Sequence, residues 1–246
     1  MAIQHVLKEE QAYGAFNGGE IIENKPVGFP QEGGAVQAFS NIFYWANAKA
    51  NVDSTIGLHP HKGFEIISFV LEGSIKHFDT QMNAWKELHA GDVQIIRSGN
   101  GISHAEHMNK DARMFQIWVD PDLSKSLEKE ASYSDYKEEE FPIQVIDGNE
   151  EKTLIGSGSP FKMEASGIVC KRVKVLAPLS IKVDAGNILS LYVMTEGLTS
   201  SEKNLAIDSF IQVEDDTIRI EGQGEIFYFL SPKQPAYTTY ASQISR

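Results

Sequence analysis

The sequence predicts an all-β protein in two tandem domains, each a sandwich or barrel of short strands. Three features carry this expectation. Short runs rich in β-branched and aromatic residues recur along the chain. Glycine-containing turns bound several of them. One polar, acid-rich stretch interrupts the pattern near the middle.

In chain order, Glu65–Leu71, Asp92–Arg97 and Met114–Val119 read as strands, with turns at Glu72-Gly73, Ala90-Gly91-Asp92 and Gly99-Asn100-Gly101. Residues 120–141 then turn polar. Asp122 or Ser124 can cap a short helix there, so this segment reads as a solvated linker carrying a little helix. Strand signals resume at Ile143–Ile146. They continue through Ile168–Leu176, Leu179–Val183, Ile188–Met194, Phe210–Val213, Thr217–Ile220 and Glu225–Leu230, with Gly197, Gly222 and Gly224 as punctuation. No fixed-period repeat relates the halves. The expected domains are residues 1–141 and 142–246, joined at Phe141–Pro142.

Bulk properties narrow the function classes. Hydrophobic residues make up 41% and charged residues 23% of the 246, so a packed core is expected and disorder is not. The net charge of −12, without a Lys/Arg cluster, argues against direct nucleic-acid binding. No apolar run is long enough to span a bilayer, and MAIQHVLKEEQAYG lacks the basic and apolar regions of a secretory leader. The lone cysteine, Cys170, excludes an internal disulfide and reads as a strand core residue. A cytoplasmic location is therefore expected.

The histidines are unevenly placed. Of seven, six lie between His59 and His107, and the expected second domain has none. Two pairs stand out, His59-Pro60-His61 and His104-Ala105-Glu106. In a strand, residues i and i+2 share a face, so each pair aims two ligand groups at one side. Facing each other across a barrel, the pairs would bring together three imidazoles and a carboxylate. Such a set suits iron, manganese, cobalt, nickel, copper or zinc and leaves open positions on a six-coordinate ion. Pro60 places the first pair at a strand edge or rim. Glu65, four residues beyond His61, has the same parity unless Gly63 breaks it, so parity leaves both Glu65 and Glu106 standing as the carboxylate. His77, His89 and His107 read as ordinary residues: His77 exposed, with the orienting of a ligand as its alternative, His89 beside a turn, His107 on the face opposite Glu106.

The stretches GLHPHKGFEIISFVLEGSIKHFD and HAGDVQIIRSGNGISHAEHM resemble the two cupin motifs of the pirin family, and the likeness runs from His59 to Trp118. The segment NIFYWANAKANVDSTIG departs from the usual pirin lead-in, and His89 stands where a proline is common. The resemblance implies two tandem cupin (jelly-roll β-barrel) domains with metal only in the first. It implies His59, His61, His104 and Glu106 as ligands of one divalent ion, iron(II) foremost, and leaves Glu65 as a carboxylate that either supports the ligands or is structural. It further implies a quercetinase-type dioxygenase that opens a flavonol with O2, with Glu106 also serving as catalytic base. The alternative is a non-enzymatic, iron-binding regulatory or redox-sensing protein acting through a protein partner.

Overall fold

The computed structural model describes residues 3–244. The chain forms two compact units. One comprises Met1–Glu10, Glu139–Lys162 and Gly167–Pro235; the other comprises Gln11–Glu138, Met163–Ser166 and Ala236–Arg246. The switch at Glu138/Glu139 lies close to the expected division, yet no single cut at 141/142 describes the units, because terminal segments are exchanged. The first strand, β1 (Ile3–Val6), pairs antiparallel with residues 210–213 of the C-terminal unit. It carries His5, exposed, into a unit expected to have no histidine.

The N-terminal unit runs β2 (Ala12–Phe16), β3 (Ile21–Val27), β4 (Ile42–Ala50), β5 (Ser54–His61), β6 (Glu65–Glu72), β7 (Ser74–Asp79), β8 (Trp85–His89), β9 (Val93–Arg97), β10 (Ile102–Met108) and β11 (Arg113–Val119). After these come α1 (Leu123–Ser126) and β12 (Ser132–Tyr136). Two sheets form a jelly-roll-like sandwich. One has seven strands in the order β12-β9-β6-β11-β4-β3-β2; the other has four in the order β5-β10-β7-β8. Alternation along the strands turns one face of each sheet inward. Ile21, Ala48, Val70 and Met114 from the large sheet meet Ile75, Leu88 and Met108 from the small one and close one end of the interior. The opposite end is left to polar and aromatic residues.

The stretch expected as a solvated linker contributes more than a helix. Asp122 caps α1, its Oδ1 accepting from the Ser124 N–H at 3.2 Å. Ser126 Oγ donates to the Gly63 carbonyl at 2.7 Å. β12 pairs with β9 as the edge strand of the large sheet. Its sequence, SYSDY, lacks the apolar alternation that identifies a half-buried strand, which is why composition hides it.

The C-terminal unit continues with β13 (Ile143–Ile146), β14 (Asn149–Ile155), β15 (Val169–Val175), β16 (Leu179–Lys182), β17 (Asn187–Val193), β18 (Leu198–Ser200), β19 (Lys203–Asn204), β20 (Phe210–Glu214), β21 (Thr217–Gly222) and β22 (Gly224–Pro232). Its sheets are β1-β20-β17-β22-β15-β14-β13 and β16-β21-β18-β19. An aliphatic core including Val173, Leu189, Leu191, Ile211, Val213 and Ile226 fills this sandwich. Cys170 is fully buried, and burial pushes its thiol well above the usual range, so it is a core residue and not a nucleophile. A second helix, α2 (Tyr240–Ile244), belongs to the N-terminal unit. No described helix is long and apolar enough to cross a membrane, which says nothing of strands.

Glu65 is a structural clasp. Its carboxylate is 1% exposed and accepts from the backbone N–H groups of Glu164 and Ala165, each at 2.8 Å, with Arg97 Nε at 3.8 Å. These contacts fix the segment Met163–Ser166 within the N-terminal unit. Burial pushes the carboxyl up to about 7, although both N–H groups and Arg97 favour the ionised form. A carboxyl raised on folding binds more protons in the native state than in the unfolded chain. Its stabilising contribution is therefore complete below the unfolded value near 4.5 and is lost as pH rises through about 7. Relative to Glu65→Gln, the wild type should lose up to about 3 kcal/mol of folding stability between pH 4.5 and 8. Urea denaturation of both proteins across that range checks this.

Candidate metal centre

His59 and His61 lie on β5, the edge strand of the small sheet, and His104 lies on its neighbour β10. The strands are antiparallel, with His104 opposite His59, Ser103 opposite Pro60 and Ile102 opposite His61. The two sequence pairs thus meet side by side in one sheet, not across the barrel as expected. The edge position tolerates Pro60, which has no N–H to give to a further strand. A register shift between His104 and Glu106 sets Glu106 opposite Ile56.

The three imidazoles converge. Ring centroids are 4.4 Å apart for His59–His104, 4.7 Å for His61–His104 and 4.8 Å for His59–His61. One nitrogen from each lies within 4.8 Å of the others, and among the described residues this is the group of three or more such ligands that the fold assembles. His59 Nδ1–H donates to the Gly57 carbonyl at 2.8 Å, which leaves Nε2 bare. His61 Nε2 and both nitrogens of His104 are buried without a hydrogen-bond partner. Burial, reinforced by the neighbouring imidazoles, pushes His61 down to about 3 and His104 down to about 2. Both rings are therefore neutral at physiological pH, the form that binds metal. Converging, neutral and partnerless nitrogens fit a divalent ion, and the absence of thiolate speaks against a closed structural zinc site.

Glu106 is 2% exposed on β10 and close enough to His61 to influence its titration. It does not join the triad directly. Both carboxylate oxygens accept from Gln116 Nε2, at 2.7 and 2.8 Å, and Gln116 Oε1 accepts from Trp118 Nε1 at 3.0 Å. Trp118 fixes which end of the amide faces the carboxylate. Nothing in the sequence marked Gln116, because a glutamine inside a strand has no spacing signature of its own.

Glu65, expected either to support the ligands or to be structural, is engaged by the backbone at residues 164 and 165. Gly63 accounts for the failed parity. Its φ of +94 turns the chain between β5 and β6, which belong to different sheets. His107 matches its expectation: it leaves the triad's face, and its ring contacts Thr55 Oγ1 at 2.8 Å and Asn109 Oδ1 at 3.1 Å. His89 ends β8 beside a turn, exposed. His77 does not match: it is fully buried, not at the surface. Its Nε2 lies 2.9 Å from Asp79 Oδ2, its ring stacks on Tyr133 at 4.7 Å and 7°, and its centroid is 5.6 Å from that of His104.

His61 also faces outward. It lines a cavity of about 500 Å³ with Pro60, Lys62, Thr80 and Ser103, a size suited to a small organic molecule. On its other side, Phe64 and Trp118 lie 5.3 and 5.1 Å from its ring. Phe43, Tyr44 and Tyr240 of α2 extend that aromatic cluster.

Residues 24–119 match the family model for Pirin, a span that contains all three histidines and Glu106. Over that span the chain carries a pirin-family domain. The rat protein named Pirin is 34% identical over 169 residues, 66% of this chain and 54% of its own length. Quercetin 2,3-dioxygenase of Escherichia coli K12 is 39% identical over 69 residues, 27% of this chain and 29% of that enzyme. Several further curated relatives are likewise matched over only about a third of their own length. The crystal structure of the bacterial pirin YhhW from Escherichia coli, in complex with nickel(II), superposes with a TM-score of 0.76 at 20% identity, covering 94% of this chain and 99% of that one. That likeness establishes the bicupin fold over nearly the whole chain, including the C-terminal unit beyond the family-model match.

Removing the donor that Glu106 relies on should be costly. Gln116→Leu leaves a buried carboxyl without its partner and should lower the stability of the metal-free protein by about 1–3 kcal/mol, read from urea denaturation in the presence of chelator.

Proposed function

We propose that the protein is a metal-dependent dioxygenase that opens the central ring of a flavonol with O2 and releases carbon monoxide, with iron(II) as its ion. The convergence of three imidazoles beside Glu106, with His61 and His104 offering buried nitrogens that have no protein partner, in a pirin barrel with an adjoining cavity, carries this reading. His59, His61, His104 and Glu106 would hold the ion. A divalent ion there would supply Lewis acidity towards a substrate hydroxyl and open positions for small ligands.

The remaining work falls to the chain's own groups. His61 links the interior to the cavity, so a planar aromatic substrate reaching the site passes Pro60 and Ser103. Phe64 and Trp118 flank His61 and offer faces against which such a ring can pack while water is excluded. Glu106 takes the proton of the flavonol hydroxyl at a carboxylate oxygen. Gln116 Nε2, held by Trp118 through Oε1, keeps that carboxylate directed and desolvated as it does so. The relatives named quercetin 2,3-dioxygenase support the choice of a flavonol and O2 as co-substrates.

The test is anaerobic loading with iron(II) followed by quercetin and O2. Flavonol consumption with carbon monoxide release is expected in the wild type and not in His61→Ala. Glu106→Gln should lower turnover about 100-fold while retaining most of the bound metal. Equal losses of metal and turnover in Glu106→Gln would refute the base role. Stoichiometric iron without turnover in the wild type would refute the dioxygenase and leave an iron protein that works through a partner.

A further inference from the structure

We infer that Asp79 and His77 form a buried relay that orients His104 and sets its donor strength towards the ion. The inference rests on the reading that the triad holds metal. Both residues lie on β7, directly beside β10, with Asp79 opposite His104 and His77 opposite Glu106. Both are fully buried.

The hydrogen-bond inventory fixes the polarity of the pair. Asp79 Oδ1 accepts from the backbone N–H groups of Gln81 and Met82 at 2.9 and 2.6 Å, which orients the carboxylate. Oδ2 then accepts from His77 Nε2–H at 2.9 Å. With a single ring proton committed to Nε2, His77 presents a bare lone pair at Nδ1, and that atom is buried without a partner. Parallel stacking on Tyr133 holds the His77 ring plane.

His104 poses the complementary problem. When one of its nitrogens serves an ion, the other carries a proton that needs an acceptor, and neither nitrogen has a protein partner. Outside the triad, His77 at a centroid spacing of 5.6 Å is an adjacent ring with an unused acceptor. An N–H donated from His104 to His77 Nδ1, directly or through one water, would complete a line from Asp79 through His77 to His104. Such a line selects the tautomer and rotation of His104 and raises its basicity. A purely structural pair would satisfy the interior equally well with Nδ1 also engaged by the protein. His77 and Asp79 are thus positioning residues.

Asp79→Asn inverts the polarity with little change of shape. Its Oδ1 can keep both turn bonds while Nδ2–H faces His77 Nε2, driving the ring proton to Nδ1 and abolishing the acceptor. The probe is cobalt(II), titrated into metal-free protein and followed by its d–d absorption. Asp79→Asn and His77→Phe should each raise the cobalt(II) Kd about 10-fold or more and change the visible spectrum. The double variant should be no worse than either single one, because both break the same line. Nitrogen-15 imidazole shifts should show His77 as the Nε2–H tautomer in the wild type and the Nδ1–H tautomer in Asp79→Asn. His77→Phe keeps a ring on Tyr133, so it covers the case in which Asp79→Asn fails to fold. Wild-type affinity and spectrum in the folded variants, or independent additive losses, would overturn the relay while leaving the metal site intact. A wild type that binds no more cobalt(II) than His61→Ala would overturn the site and the relay together.

Discussion

The N-terminal barrel is organised around buried imidazole nitrogens that have lost water and gained no protein partner. An unpaired buried polar atom costs about 1–3 kcal/mol, and His61 and His104 contribute three of them. A chain selected only for stability would fill these positions with aliphatic residues, as the C-terminal unit does with its valine, leucine and isoleucine core. Burial also holds both histidines neutral, so no proton has to leave them before an ion can bind. The same desolvation that makes the site costly makes it ready.

The surrounding structure confines that cost. Met108, Met114, Val70 and Ile75 close the dry end of the barrel. Polar groups nearer the site are tied into short directed chains: Trp118 to Gln116 to Glu106, and Asp79 to His77. In each chain the outermost contact fixes which atom the inner residue offers. The barrel thereby orders its polar groups before substrate or ion arrives, which is what preorganisation requires of residues around a reacting centre.

Much of this was legible in the sequence, for identifiable reasons. Strands such as β6, β9 and β11 are buried in the middle of a large sheet, so their β-branched runs stand out. The two candidate pairs were visible because a two-residue period places both members on one face. What escaped lay where that period says nothing. Parity could not cross the left-handed turn at Gly63, so it left Glu65 standing beside Glu106 as the carboxylate, although Glu65 clasps residues 164 and 165. Burial of His77 depends on β7 lying between β10 and β8, a pairing no local pattern encodes. The exchange of β1 into the C-terminal unit is likewise a long-range strand pairing, invisible in residues 3–6 themselves.

The central claim is that the triad and Glu106 hold one divalent ion. Anomalous diffraction at the iron edge, from crystals grown anaerobically with iron(II), addresses it most directly. The account predicts a single peak within bonding distance of His59, His61 and His104, with a Glu106 carboxylate oxygen completing the set while Gln116 Nε2 still holds the carboxylate. A peak elsewhere, or none at the triad, would contradict it.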